Sequence, residues 1–359
     1  VKVSASAPGK LILLGEYAVL EGAPALAMAV NRFAQVILDP ISLDHCLLDA
    51  PEIGISDLPF TLNQEEDISF LTSISEKVEK RLSFFSSTLK LIRKIRQQGL
   101  SELPNFKIKL DTSQFFHRED SQKLGLGSSA AVTVGLISAL LQFGDNDFNP
   151  MRQSNQIFEA ALRSHRNAQE NIGSGIDVAA SVFGGILKYK IQDPEFSIPP
   201  FHEKLTIQPD LHILIIWTGK SASTSQFVRK VKAFKQTKSK DFERIINRMS
   251  AMSNSGIEAY AQKNISGFME AIKQYSAAMK YLGEKSGIPI VSKIHQIISE
   301  IVIDGRGVYK PSGAGGGDLG IAFCKTIGEK EKIFRKLEDA GFDVLNLEIA
   351  TKGIQVETM

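Results

Sequence analysis

The sequence predicts a mixed α and β protein divided into two domains. Three observations carry that expectation. Short alternating or uniformly apolar runs, as in strands, stand between longer segments whose apolar residues recur every three and four positions, as in helices. The 359 residues are more than a single core usually organises. A turn-rich stretch holding Pro194, Pro199, Pro200 and Pro209 breaks the pattern past the middle.

Leu11 to Leu14 and Ala34 to Leu38 read as strands, and Phe106-Lys107-Ile108-Lys109-Leu110 alternates as a half-buried sheet face does. From Leu71, the residues Ile74, Val78, Leu82, Phe85, Leu89, Ile92 and Ile95 predict one long amphipathic helix. Its Lys90, Arg93, Lys94 and Arg96 form a basic, solvated face. Ala130, Ala131, Val134, Ile137, Leu140 and Leu141 predict a buried helix with a serine as its cap. A helix from about Met151 to Asn171 and another from Asp177 follow, and Gly184-Gly185 then leads into a strand, Ile186 to Lys190. The proline-rich stretch sets the boundary, giving an N-terminal domain of residues 1–207 and a C-terminal domain of residues 208–359. Beyond it the pattern predicts a strand at Ile213 to Trp217, helices between about 225 and 303, and a strand at Leu319 to Cys324. A helix around Glu329 to Ala340 and a closing strand near Val344 to Ile349 complete the chain.

Composition narrows the class. With 43% apolar and 23% charged residues and a net charge of +2, the bulk chain favours neither nucleic acid nor membrane, so small-molecule partners are expected. Cys46 and Cys324 form neither a disulfide framework nor a metal spacing, as suits a reducing, cytoplasmic setting. Lys10 and Glu16 bracket too short an apolar stretch for a signal peptide. The run Leu211 to Trp217 is far below the roughly eighteen residues of a membrane span.

Three glycine-rich stretches carry the chemistry. They are Ala7-Pro8-Gly9-Lys10 leading to Gly15-Glu16-Tyr17, then Gly125-Leu126-Gly127-Ser128-Ser129-Ala130-Ala131, then Ser312-Gly313-Ala314-Gly315-Gly316-Gly317-Asp318. A loop that wraps backbone N–H groups around phosphate oxygens needs residues without a Cβ, and a following helix adds about half a unit of positive charge. The middle stretch has that form. No Lys follows Gly127, which excludes a Walker A loop. Gly125, Gly127 and Ala130 match a dinucleotide fingerprint only weakly, because the strand candidate at Phe106 to Leu110 ends well short of Gly125. Five glycines between Gly313 and Gly320 would cost a mere connection much backbone entropy, which favours a binding loop. The six histidines show no metal or triad spacing and read as structural.

In this order, the three motifs resemble those of the GHMP small-molecule kinases, and the resemblance spans essentially the whole chain. It implies an α+β fold of two domains with ATP and an acceptor in the cleft between them. Within the family, Tyr17 stands where members acting on mevalonate usually carry His. The stretches Ser164-His165-Arg166-Asn167-Ala168-Gln169, Ile172-Gly173-Ser174-Gly175-Ile176-Asp177 and Trp217-Thr218-Gly219-Lys220-Ser221-Ala222-Ser223 are similar to those of members acting on phosphomevalonate. Lys310-Pro311, leading the third loop, shares that likeness. The implied reaction is phosphorylation of phosphomevalonate by ATP with Mg²⁺, the alternative acceptor being mevalonate or another small alcohol.

The resemblance also implies roles. Lys10 and Asp177 are the expected catalytic pair, Lys10 neutralising charge at the transferred group and Asp177 orienting Lys10 and the acceptor. Lys123, Gly125, Leu126, Gly127, Ser128, Ser129 and Ala130 are expected to cradle the ATP phosphates, with the Ser128 hydroxyl on Mg²⁺. Lys10, Tyr17, Ser174, Gly175, Lys220, Ser223, Ser312, Gly313 and Ala314 are expected around the acceptor, with Lys310 a further candidate. Mevalonate kinases carry a metal-binding carboxylate where this chain has Arg166, so Glu16 or Glu170 is expected to substitute. The polar segment from Asp111 to Gln122 is the expected lid.

Overall fold

Two long strands, β1 (Val3–Leu14) and β2 (Ala25–Pro40), organise the N-terminal part of the computed structural model. The structure describes residues 1–62, 68–95, 103–145 and 147–359, the side chains of residues 93–95 excepted. Arg96 of the basic face therefore lies outside the described residues, as do the side chains of Arg93 and Lys94. The two strands pair antiparallel from Val3↔Leu38 to Leu14↔Leu26, with register shifts at Pro8/Gly9 and Ile12/Leu14. Proline has no N–H for a ladder, so a bulge is where a strand tolerates it. The bulge places Gly9 under the glycine loop: a Cβ there would fall 2.8 Å from Leu126 O.

The rest of this sheet builds outward on both flanks. The elements in chain order are β3 (Cys46–Ala50), β4 (Ile55–Leu62), β5 (Ile68–Phe70), α1 (Glu76–Arg81), α2 (Ser83–Ile95) and β6 (Phe106–Asp111). Next come α3 (Ser128–Gly144), α4 (Ser154–Ala168), α5 (Ile176–Phe183), β7 (Ile186–Lys190) and β8 (Phe201–Leu205). β6 pairs with the second half of β2, β3 joins β6 in parallel, and β4 and β5 follow antiparallel. β7 pairs with the first half of β2, and β8 with β7. Helix α3 lies against β1 and β2, between α2, α4 and α5, and is apolar nearly all round because nearly every side is covered.

The second part holds β9 (His212–Trp217), α6 (Thr224–Thr237), α7 (Ser239–Ala261), α8 (Ile265–Ser286), α9 (Lys293–Asp304), β10 (Val308–Pro311), β11 (Leu319–Cys324), α10 (Ile327–Asp339) and β12 (Val344–Leu345). Its strands form a second antiparallel sheet in the order β10-β11-β9-β12. Leu214, Ile216, Ile298, Val302, Tyr309, Ala322, Ile333 and Leu337 close a separate small core between that sheet, α9 and α10. β13 (Gln355–Thr358) then pairs with β1 in the first sheet. A division at 207/208 thus separates the strands of the two sheets, β13 excepted.

Several expectations are corrected. The long helix from Leu71 is two helices: the Ser75 hydroxyl accepts from Val78 N–H to start α1, and Leu82 separates α1 from α2. Helix α3 is preceded by Gly127 at φ 80°, not by a capping serine, because the loop turns through a left-handed residue there. β3, β4, β5, β8, β10 and β13 were not expected. β8 in particular is mostly exposed and lacks the apolar alternation a strand usually shows. Among the described residues, no helix is long and apolar enough to cross a membrane.

Candidate active site

The first and second glycine motifs meet face to face. Lys10 N–H donates to Leu126 O at 2.8 Å, and Lys10 Nζ donates to Gly125 O at 3.2 Å. Gly125 and Gly127 both have positive φ, 74° and 80°, so the loop coils tightly before α3. A Cβ on Gly127 would lie 3.3 Å from Lys10 Cγ and 3.5 Å from Asp177 Cβ, which shows how closely the three residues converge. Ser128 and Ser129 form the first turn of α3, where N–H groups lack helical acceptors.

Helix α5 starts in the same way. Gly175, at φ 78°, precedes it, and a Cβ there would strike Leu162 Cδ1. The turn is pinned by Tyr189 OH, which donates to Ser174 O at 2.5 Å. Asp177 Oδ1 accepts from Val178 N–H at 3.0 Å, and its Oδ2 stands 3.8 Å from His165 Nε2. Two helix N-termini, of α3 and α5, thus flank Lys10.

The other wall comes from the loops that follow β9 and β10 and from the start of α6. The cleft between the two parts encloses about 870 Å³ and is lined by Lys10, Glu16, Tyr17, Lys123, Gly125–Ser129, Ser174 and Asp177 on one side. Ser221–Ser225, Arg229, Gly313, Ala314 and Asp318 line the other. Tyr17 OH donates to Ala314 O at 2.5 Å across the cleft, and burial raises the Tyr17 hydroxyl above its ordinary pKa. Asp318, also in a left-handed conformation at φ 53°, accepts from Ala222 N–H at 2.9 Å and lies against Gly125, where an added Cβ would fall 2.6 Å from Oδ2. Burial raises the Asp318 carboxyl despite the pull of that N–H and of Lys10. Lys123 is lowered by burial and by Arg81.

Four expected residues are placed differently. Lys310 is 0% exposed and ion-paired to Glu16, with further bonds to Pro311 O at 2.6 Å and Ile12 O at 3.3 Å, so it cannot meet an acceptor. Ser312 spends its hydroxyl on Ile12, accepting from N–H at 3.1 Å and donating to the carbonyl at 3.2 Å. Lys220 is exposed and outside the cleft lining; its carbonyl holds Asp318 N–H at 2.6 Å. Ala130 is buried inside α3 behind the loop. Ser223 lines the cleft and also caps α6 through Gln226 N–H.

The metal expectations meet mixed geometry. Glu16 Oε1 belongs to Lys310, while Oε2 is buried without a partner; burial raises this carboxyl, and Lys310 only partly offsets it. Glu170 faces Arg229 at 2.9 Å at the cleft edge. Arg166 stacks its guanidinium 3.6 Å over Phe196 and donates to Gly173 O at 2.9 Å, supporting the loop before Asp177. Among the described residues, no three His, Cys, Asp or Glu side chains form a metal cluster. Phe84, Asp318 and Arg229 also line the cleft and were not expected there; only Asp318 had a signal, as the last residue of the third glycine motif.

A helix-backed glycine cradle facing a lysine and a carboxylate, closed by loops of the second part, sits in the cleft of an α+β protein of two domains. Its architecture is the GHMP kinase fold, and residues 84–185 match the GHMP kinases N terminal domain. The chain is 25% identical over 371 residues to phosphomevalonate kinase of Streptomyces sp. (strain CL190), covering 97% of each chain. It is 28% identical over 399 residues to mevalonate kinase of Homo sapiens, covering 98% of this chain and 94% of that one. The structure of Streptococcus pneumoniae phosphomevalonate kinase in complex with phosphomevalonate and AMPPNP superposes with a TM-score of 0.77 at 20% identity, covering 96% of this chain and 99% of that one.

Proposed function

We propose that this chain transfers the γ-phosphoryl group of ATP to 5-phosphomevalonate, forming 5-diphosphomevalonate in the mevalonate route to isoprenoid precursors. The observation that carries the reading is the packing of the Lys10 and Asp177 side chains against Gly127, each within 3.5 Å of where a Cβ on that glycine would stand, at the mouth of two helix N-termini. The relatives named phosphomevalonate kinase support the acceptor. Relatives named mevalonate kinase match at similar identity, so mevalonate is the second reading.

In this reading the domains of residues 1–207 and 208–359 supply the two walls, with β13 returning to the first sheet. Gly125 to Ser129 and Lys123 hold the nucleotide phosphates. Lys10 bridges donor and acceptor, whose mutual repulsion is the main obstacle. Asp177 keeps Lys10 and the acceptor in line. Tyr17, Ser174, Gly175, Ser223, Gly313 and Ala314 bound the acceptor, with Ser174 and Ser223 offering hydroxyls. Mg²⁺ takes most of its ligands from phosphate oxygens and water, so one protein hydroxyl, Ser128, is a fitting donor; bound there it would neutralise nucleotide charge. The setting is cytoplasmic.

The test is ADP release with a panel of mevalonate, phosphomevalonate, diphosphomevalonate, homoserine and galactose. Turnover is expected with phosphomevalonate. Turnover confined to mevalonate overturns the acceptor, and ATP binding without ADP release from any acceptor overturns the kinase.

A further inference from the structure

His165 of α4 is 1% exposed and stacks on Phe84 at 5.0 Å between ring centroids. Its Nε2 lies 3.2 Å from Ser129 Oγ and 3.8 Å from Asp177 Oδ2, while Nδ1 is buried without a hydrogen-bond partner. Burial lowers the pKa of the ring, against the pull of Asp177, so the imidazole is neutral with a single N–H. Two arguments place that hydrogen. On Nδ1 it would be a buried donor with no acceptor, costlier than a bare lone pair. On Nδ1 it would also leave the Nε2 lone pair facing the Asp177 carboxylate. The hydrogen therefore sits on Nε2 and is donated to Ser129 Oγ.

The consequence falls on Ser129, at the first turn of α3 and in the cleft lining. Its oxygen accepts from His165, so its own hydrogen must point elsewhere. We infer that His165 is a positioning residue that turns the Ser129 hydroxyl hydrogen into the cleft, as a donor aimed at a phosphate oxygen of the bound nucleotide. The inference rests on the nucleotide reading of the glycine loop. It assigns the nucleotide-facing donor to Ser129 through a ring that never touches the ligand.

The experiment measures the Kd for ATP by calorimetry, and kcat, in His165→Phe, His165→Gln, Ser129→Ala and the double variant His165→Phe/Ser129→Ala. His165→Phe keeps the stacking on Phe84 and removes the donor; His165→Gln restores an N–H. A hydrogen bond to a charged oxygen sets the scale: His165→Phe and Ser129→Ala should each weaken ATP binding about tenfold, with a smaller effect on kcat. The double variant should lose no more than either single, and His165→Gln should recover most of the affinity. Nitrogen NMR of labelled histidine should show the His165 hydrogen on Nε2. Losses that add, an unchanged Kd in Ser129→Ala, or the hydrogen on Nδ1 overturns the inference while leaving the kinase reading standing. Wild-type protein that binds no ATP overturns both. Should His165→Phe fail to fold, Ser129→Ala and the NMR spectrum still decide.

Discussion

Lys10 lies within β1 with its backbone N–H committed to Leu126 O, so the side chain alone reaches into the cleft, where Gly125 O holds its ammonium at 3.2 Å. A cation so placed acts on charge that develops during transfer, and Lys10→Met should lower kcat by about 10²–10³-fold with a milder effect on ATP affinity. An unchanged kcat in steady-state assays removes Lys10 from the chemistry. Asp177 has a different task if the acceptor is a phosphate monoester, whose second pKa of about 6 leaves it ionised near neutrality. Asp177→Asn should then cost less than about 100-fold, below the range of a lost general base, with no recovery confined to strongly alkaline pH. At this scale the sequence was informative where backbone geometry forces a residue type. Gly9, Gly125 and Gly127 announced a close approach, and Lys10 stood beside it. It was uninformative for Lys310 and Ser312, because a lysine before a proline and a serine before a glycine look available until partners some 300 positions away, Glu16 and Ile12, are in place.

Among the elements, α3 was readable because burial on nearly every side leaves a long, almost unbroken apolar run, and β6 because it alternates buried and open positions. β4 carries Pro59 and the irregular burial of an outer strand, and β8 has few apolar contacts to leave a pattern. The expected lid, from Asp111 to Gln122, bridges both walls of the cleft. His117 Nε2 meets Asp343 at 2.8 Å and Nδ1 meets Asp120 at 3.0 Å, while the ring stacks on Trp217; Ser221 N–H donates to Gln122 Oε1 at 3.3 Å. Burial opposes protonation of His117, but the bonds to Asp343 and Asp120 outweigh it and raise its pKa above 6.5. With a raised folded pKa, the stabilisation is complete below the unfolded value of about 6.5 and is lost as pH rises through the folded value. The melting temperature of His117→Gln should therefore fall furthest below wild type near pH 5.5 and approach it at alkaline pH. A gap that widens with pH contradicts the carboxylate latch.

Across the whole molecule, the two sheets are joined where β1 and the following turn meet β10 and the third glycine loop. Glu16 and Lys310 form a buried ion pair there, Ser312 bonds Ile12, Tyr275 OH donates to Glu16 O at 2.6 Å, and Ser253 donates to Pro24 O at 2.5 Å. Length and the proline-rich break set the expectation of two domains, but nothing in the sequence announced this seam, since every contact in it links residues more than 200 positions apart. The return of β13 to β1 was hidden for the same reason. Removing one partner of a buried pair leaves the other charge desolvated, so Lys310→Met should destabilise the fold by about 3–5 kcal/mol in urea unfolding, more than any single hydrogen bond in the seam. The pH dependence identifies the cause. Without Lys310, burial is opposed only by the backbone N–H groups of Gly313 and Glu16 itself, and it holds the folded pKa of Glu16 above the ordinary 4.5. A carboxyl with a raised folded pKa gives its full stability below the unfolded value and loses it as pH rises through the folded one. The deficit of Lys310→Met against wild type should accordingly be smallest near pH 4.5 and grow toward neutrality, and Glu16→Gln/Lys310→Met should abolish that growth. A deficit that stays flat from acid to neutral pH assigns the loss to packing of the lysine stem instead of the stranded carboxylate.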